Sequence, residues 1–328
     1  MTLILEDNKN KYILEHKIGK GATCKCYIGH KIDEETPEIF AIKIFPQKYY
    51  EFYSNEIAIL RKLQENKNII KLYDYGQGFL IPKENNDYLE KKIIYYEVLE
   101  YANNGELKDY INGTSSRLPE KISAKIFMKI VKAVKYLHEN DIAHCDLKPE
   151  NILLDKYFNP KLNDFGFSQE FNGKNGDYLL HKSSRTPKYS SPDVRLASTK
   201  GFNGIKNDIF SLGVLLFVIT IGVFPFESAT YSDEKYKYII KGKFRQFWEF
   251  FNFVDISEEF KNLINSLISH NPAKRLSINE ILNHPWIVKE IGHNCCEDNN
   301  IISLNESFND EIFDHEIFNE LSTRKKLS

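Results

Sequence analysis

The residues best equipped for chemistry stand in one run, His144-Cys145-Asp146-Leu147-Lys148-Pro149-Glu150-Asn151, followed by Asp164-Phe165-Gly166. Asp146 can accept a proton from a hydroxyl, and Lys148 can neutralise a moving phosphoryl group. Asn151 and Asp164 offer the oxygen ligands that a hard Mg²⁺ ion takes. Pro149 forces an extended or turn backbone before it, so the run reads as a loop, where such side chains can converge. Both strings in this order are too specific to be chance.

Upstream, Ala41-Ile42-Lys43 falls in an apolar strand-like run and Glu56 in the helical pattern after it. A lysine in an apolar strand is costly without a partner. Glu56 could supply one and leave Lys43 aimed at ligand phosphates; two unrelated surface charges are the plainer account of the same pair. Earlier still comes Ile18-Gly19-Lys20-Gly21-Ala22-Thr23-Cys24-Lys25-Cys26. Two glycines here let backbone N–H groups lie against phosphate oxygens, although a simple hairpin turn would show the same glycines. No Gly-x-x-x-x-Gly-Lys-Ser/Thr string occurs and strands flank the glycines, so neither a Walker A loop nor a dinucleotide fingerprint is expected.

Together these strings resemble the eukaryotic protein kinase family, of serine/threonine type and similar to its calcium/calmodulin-dependent group, over about residues 12–287. The resemblance implies ATP and Mg²⁺ as cofactors and transfer of the γ-phosphoryl group to protein Ser/Thr hydroxyls. It implies that Ile18, Gly19, Gly21 and Cys26 belong to a glycine-rich loop, and that Ala41 and Leu153 line the adenine site. Lys43, held by Glu56, would contact the α- and β-phosphates. Leu99-Glu100-Tyr101-Ala102 looks like the hinge that hydrogen-bonds adenine, with Leu99 as gatekeeper. Glu106 falls where the family contacts ribose or a basic substrate side chain. Asp146 and Lys148 would be catalytic, Asn151 and Asp164 would hold metal, and Thr186 would touch Asp146 and Lys148. Asp208 opens a stretch similar to the family's central helix, and Arg275 is implied to pair with Asp193.

Departures from the family pattern are local. Cys24 replaces the third loop glycine, Cys26 a valine, and Cys145 the arginine before the catalytic aspartate, while the activation segment ends Ser191-Pro192-Asp193. None removes an acid, base or metal ligand. A binding module without catalysis would lack Lys43, Asp146 or Asp164, and all three are present.

Two kinds of element must position these groups. Short β-branched and aromatic segments at residues 12–18, 26–31, 40–45 and 92–99 predict strands, with a helix over 54–63. After Gly105 the period changes: Ile126, Phe127, Ile130, Val134 and Leu137 recur at helical spacing. The expected fold class is α+β and bilobal, with a β-rich lobe over 12–100 and a larger helical lobe over 101–287. Residues 1–11 read as an extension and 288–328 as an acidic tail.

The 328 residues are 42% hydrophobic and 27% charged, ordinary globular values, with a net charge of −2. That balance lacks the basic excess of a nucleic-acid binder. Five cysteines show no Cys-x-x-Cys pair or secreted framework, and the Leu3–Leu5 apolar run is too short for a signal peptide, so a cytoplasmic protein is expected. The uncharged stretch Ile209–Phe226 has the length of a membrane span. Its Gly213, Gly222 and Pro225, without basic flanks, favour a buried core helix.

Regulation and partners complete the expectations. Glu106 and Glu150 suggest protein substrates with basic residues near the acceptor. In the tail, Phe308, Ile312, Phe313, Ile317 and Leu321 fall at helical spacing amid Glu306, Asp310, Glu311, Asp314 and Glu320. A calmodulin target should be basic, so no direct calmodulin binding through this tail is expected; a solvated or loosely docked helix is the favoured reading, with an autoinhibitory helix as the alternative. Cys145 carries no charge with which to clamp a phosphate on Ser183 or Ser184, which leaves Lys182 or Arg185. Activity without activation-loop phosphorylation is expected.

Overall fold

A computed structural model describes residues 3–7, 9–32, 38–82, 92–111, 117–171, 179–180, 186–196, 201–291 and 314–327. They fall in two compact units, Met1–Asn103 with Asn163–Ser168, and Asn104–Leu162 with Gln169–Ser328.

The first unit holds β1 (Leu3–Glu6), β2 (Lys11–Lys20), β3 (Lys25–Lys31), β4 (Phe40–Pro46), α1 (Tyr50–Leu60), β5 (Leu72–Pro82) and β6 (Lys92–Glu100). The strands pair antiparallel in the order β1-β2-β3-β4-β6-β5, and β5 returns to β1 to close a barrel. The expected strands are present, with longer ends. Residues 1–11 are not a mere extension: Leu3–Glu6 hydrogen-bonds to β2 on one side and β5 on the other, and Leu5 is buried. Strand β5 went unforeseen because Gly76, Gly78 and Asp74 interrupt its alternation. Helix α1 starts earlier than the 54–63 pattern indicates and ends at Leu60, where the chain tightens into a turn.

Period-2 alternation sorts the strands' two faces. Tyr12, Leu14, Phe40, Ile42, Ile44, Ile94, Tyr96 and Val98 form one core cluster with Leu5. The intervening residues Ala41, Lys43 and Phe45 of β4, and Tyr95, Glu97 and Leu99 of β6, therefore share the other face. Phe45 packs there with Tyr53 and Ile57 of α1. That helix is why a lysine on β4 is buried.

In the second unit, α2 (Glu120–Glu139) buries Ile126, Phe127, Ile130, Val134 and Leu137, the face the sequence indicates. Short strands β7 (Ile142–Ala143), β8 (Ile152–Leu154), β9 (Pro160–Leu162) and β10 (Gln169–Glu170) bracket the loop of interest. Helix α3 (Gly204–Ile221) is capped by the Asn203 side chain and ends at Gly222 with φ 84°. It is long and apolar enough to cross a membrane, and 89% of it is buried inside the fold. A Cβ on Gly213 would lie 2.6 Å from Leu267 Cβ, so glycine permits the close approach of α6 (Glu258–Leu267). Between them come the short α4 (Tyr236–Ile240) and α5 (Phe244–Trp248); α7 (Ile278–Leu282), α8 (Pro285–Ile291) and α9 (His315–Leu327) follow.

Candidate active site

Within the first unit, register builds the phosphate side. Cys26 pairs with Lys43 and Lys43 with Glu97 across β3, β4 and β6. Lys43 Nζ lies 2.5 Å from Glu56 Oε1, with both side chains buried. Burial opposes the lysine's charge, yet the carboxylates of Glu56, Glu97 and Asp164 outweigh it and hold its pKa well above the usual value. Burial and Asp164 raise the Glu56 pKa against the pull of Lys43. Asn55 fixes the Asp164 segment, its Nδ2 donating to the carbonyls of Phe165, Gly166 and Ser168 at 3.2, 3.3 and 3.0 Å. Asp164 itself has φ 61°, a left-handed conformation strained for a non-glycine residue.

Glu97 is the residue here that sequence reading missed. It is 0% exposed, and neither carboxyl oxygen has a hydrogen-bond partner among the described residues. Burial first, then the neighbouring Glu56, push its pKa well above 4.5. The sole signal was a lone acid in the apolar run Ile93–Leu99. Replacing it by methionine, Glu97→Met, is expected to stabilise the chain by about 1–3 kcal/mol. Between pH 4.5 and the raised value the folded wild type holds a proton that the unfolded chain has lost, so wild-type stability falls as pH rises. The gain should therefore grow with pH, by up to about 1.4 kcal/mol per unit. Urea denaturation at pH 5 and pH 7 giving equal or negative gains would contradict this.

The glycine loop is the hairpin between β2 and β3, closed by Gly21 N–H donating to Cys24 O at 3.0 Å. A Cβ on Gly19 or Gly21 would meet nothing nearer than 3.7 Å, so the protein's own packing does not demand glycine there. The bare backbone is open to a ligand. Ile18 stands 45% exposed at its edge. Burial pushes the Cys24 thiol up to about 12 and Cys26 to about 11, which keeps both protonated and poorly nucleophilic. On the hinge stretch, Ala41 opposes Leu99 in the ladder, and Glu100 N–H donates to Lys71 O. Ala102 has no backbone hydrogen bond among the described residues.

Within the second unit, the loop residues converge. Lys148 Nζ donates to Asp146 Oδ2 at 2.6 Å and to Thr186 Oγ1 at 3.2 Å, while Thr186 Oγ1 donates to Asp146 Oδ1 at 2.9 Å. Asn151 Nδ2 donates to Asp146 O and Oδ2 at 2.8 and 3.1 Å. That commitment makes Oδ1 the atom Asn151 can offer a cation. That amide oxygen, and in the first unit the Asp164 carboxylate, are each the hard oxygen ligand that Mg²⁺ takes, so the chemistry of these residues fits such an ion. Glu106 forms an ion pair with Lys108 at 2.7 Å and bridges to Leu153 through the backbone.

The sequence places Asp208 at the start of the central-helix stretch but gives it no role. Fully buried at the start of α3, its carboxylate accepts from His144 N at 2.8 Å, Cys145 N at 2.9 Å and His138 Nε2 at 3.0 Å. Cys145 has φ 63°, which turns successive amides toward that carboxylate. The thiol packs with Ala143, Phe171, Leu180 and Phe202. Arg275 reaches the shortened Asp193 at 3.0 Å and fills its other donors with Ser269 O and Lys206 O. Lys182, Ser183, Ser184 and Arg185 lie outside the described residues, as do Glu306, Phe308, Asp310, Glu311, Ile312 and Phe313. The helix that follows them is firmly docked, with Ile317 1% and Leu321 0% exposed, which corrects the expectation of a solvated or loosely docked tail.

A family model described as "Protein kinase domain" matches residues 12–287. Similar proteins include "CBL-interacting serine/threonine-protein kinase 26" of Arabidopsis thaliana, 34% identical over 286 residues, 85% of this chain and 59% of the relative. "CBL-interacting protein kinase 2" of Oryza sativa subsp. japonica is 32% identical over 286 residues, 85% of this chain and 58% of the relative. The chain thus spans somewhat more than half the length of these relatives.

Proposed function

Because the chain belongs to the protein kinase family, we propose that it transfers the γ-phosphoryl group of ATP to Ser/Thr hydroxyls of proteins. The observation that carries this reading is the Asp146–Lys148–Asn151–Thr186 cluster, in which a buried carboxylate is oriented by three donors. Asp146 takes the proton as the acceptor oxygen bonds to the γ-phosphorus and the bond to the β–γ bridging oxygen breaks, releasing ADP. Lys148 neutralises charge on the transferred group. Lys43, kept cationic by Glu56, binds the α- and β-phosphates. Asn151 and Asp164 are the residues that would hold Mg²⁺, which when bound neutralises phosphate oxygens. Incubation with Mg²⁺, labelled ATP and generic protein substrates should label serine and threonine, and Asp164→Ala should abolish it. An unlabelled substrate pool with the wild-type chain would refute the reading.

Partners and setting belong to the same proposal. Glu106 would contact the ribose or a basic substrate side chain, basic-directed substrate choice rests on Glu106 and Glu150, and a cytoplasmic setting on cysteine usage. The relatives are named for CBL interaction, and a partner of that kind is proposed here instead of calmodulin. Supporting the latter half, Ile317 and Leu321 already spend their apolar surface inside the fold. Loop phosphorylation should matter little, since Cys145 is buried among apolar side chains and provides no cationic clamp. The double variant Ser183→Ala/Ser184→Ala is expected to change kcat by less than about twofold, because Cys145 stands where an arginine clamp would and only Lys182 or Arg185 remain for the phosphate. A large loss of activity on phosphatase treatment would contradict that.

A further inference from the structure

Helix α9 lies against α2 and the segment Leu107–Tyr110 by an apolar middle and two polar ends. At its start, Asp314 pairs with Lys125 at 3.0 Å and Glu316 with Lys121 at 2.7 Å. In the middle, Ile317 and Leu321 are buried, and the Phe318 ring meets Phe158 at 5.4 Å, which in turn meets Tyr110 at 5.8 Å. Its far end reaches the backbone that carries Glu106. Arg324 donates to Tyr110 O at 3.3 Å and Arg117 O at 2.9 Å, oriented by Glu320. Lys325 Nζ donates to Asn104 Oδ1 at 2.8 Å.

Asn104 is the hub of that strip. Its N–H donates to Leu154 O at 3.0 Å, its Nδ2 to Asp155 O at 2.7 Å, and its carbonyl accepts from Tyr110 Oη at 2.8 Å. Gly105 follows at φ 70°, and Glu106 then starts the next turn. Strand β8 holds the strip from one side, and the last turns of α9 hold it through Asn104, Tyr110 and Arg117. Three charge-assisted contacts to backbone and amide oxygens are more than an exposed helix end needs for its own docking.

We propose that α9 is a brace for residues 104–110, and that Arg324 and Lys325 are positioning residues for Glu106 and thereby for nucleotide affinity. The affinity half rests on the kinase reading above; the bracing half does not. The test uses the full chain with Arg324→Ala/Lys325→Ala, whose side chains lie at the surface end of the helix, and separately with Leu321→Glu, which undocks it. Hydrogen exchange of amides 104–110 should accelerate about tenfold or more in both variants, because a locally held segment then opens more often. KM for ATP should rise about three- to tenfold with kcat within about twofold. Lys121→Ala, at the other end, should leave both readouts unchanged. Unchanged exchange at 104–110 would overturn the brace, and faster exchange with an unchanged KM, or a rise in kcat, would overturn its link to the nucleotide. A wild-type chain without phosphoryl transfer, yet with the exchange effect intact, would instead locate the failure in the kinase reading.

Discussion

Asp146→Asn is expected to lower kcat by about 10²–10⁴-fold, the usual worth of a positioned general base. The substitution is nearly isosteric. Its amide oxygen can face Lys148 and Asn151, and its NH₂ can donate to Thr186 Oγ1 in place of the bond the carboxylate accepts. Loop geometry should survive, so KM for ATP and the melting temperature should move little. What is lost is the negative charge that accepts the hydroxyl proton and pairs with Lys148. Steady-state kinetics together with a thermal melt separate these outcomes. An asparagine variant retaining a tenth of the wild-type rate would show that the proton leaves by another route.

Asp208→Ala is expected to cost more than about 3 kcal/mol of stability and to abolish transfer together with it. Its carboxylate accepts from two loop amides and an imidazole nitrogen. Removing it strands the N–H groups of His144 and Cys145 in a fully buried site. Each unpaired buried donor costs about 1–3 kcal/mol. Cys145 is held at φ 63° against its intrinsic preference, and without the anchor the backbone should relax and carry Asp146 away from Thr186 and Lys148. Urea unfolding and kcat measured on the same preparation test the link. A variant of wild-type stability, or a destabilised one whose folded fraction keeps full kcat, would refute it.

The loop chemistry was legible because it is contiguous. Asp146, Lys148 and Asn151 are separated by single turns of chain around Pro149, and short-range geometry alone brings them together. The faces of β4 and α2 were legible for a similar reason, since their side-chain periods are local properties. Residue chemistry offered Lys43 and Glu56 as a pair beside the plainer account of two surface charges, and the 2.5 Å contact comes from α1 lying over the barrel face.

Other features had no local signature. Strand β1 has four residues, and its role shows only in its two partners, β2 and β5. Glu97 sits in a strand of unremarkable pattern, and its burial depends on which face α1 covers. Asp208 accepts from residues 63 to 70 positions away, and Lys325 donates to an asparagine 221 positions away. The sequence by itself determined the reactive groups, the strand and helix periods and the protein class, because each is encoded in neighbouring residues. Only the tertiary structure decided which carboxylate loses its water, which amides share an anchor and where the last helix docks. Those outcomes depend on surfaces covered by distant chain, and desolvation, unlike periodicity, cannot be read one segment at a time.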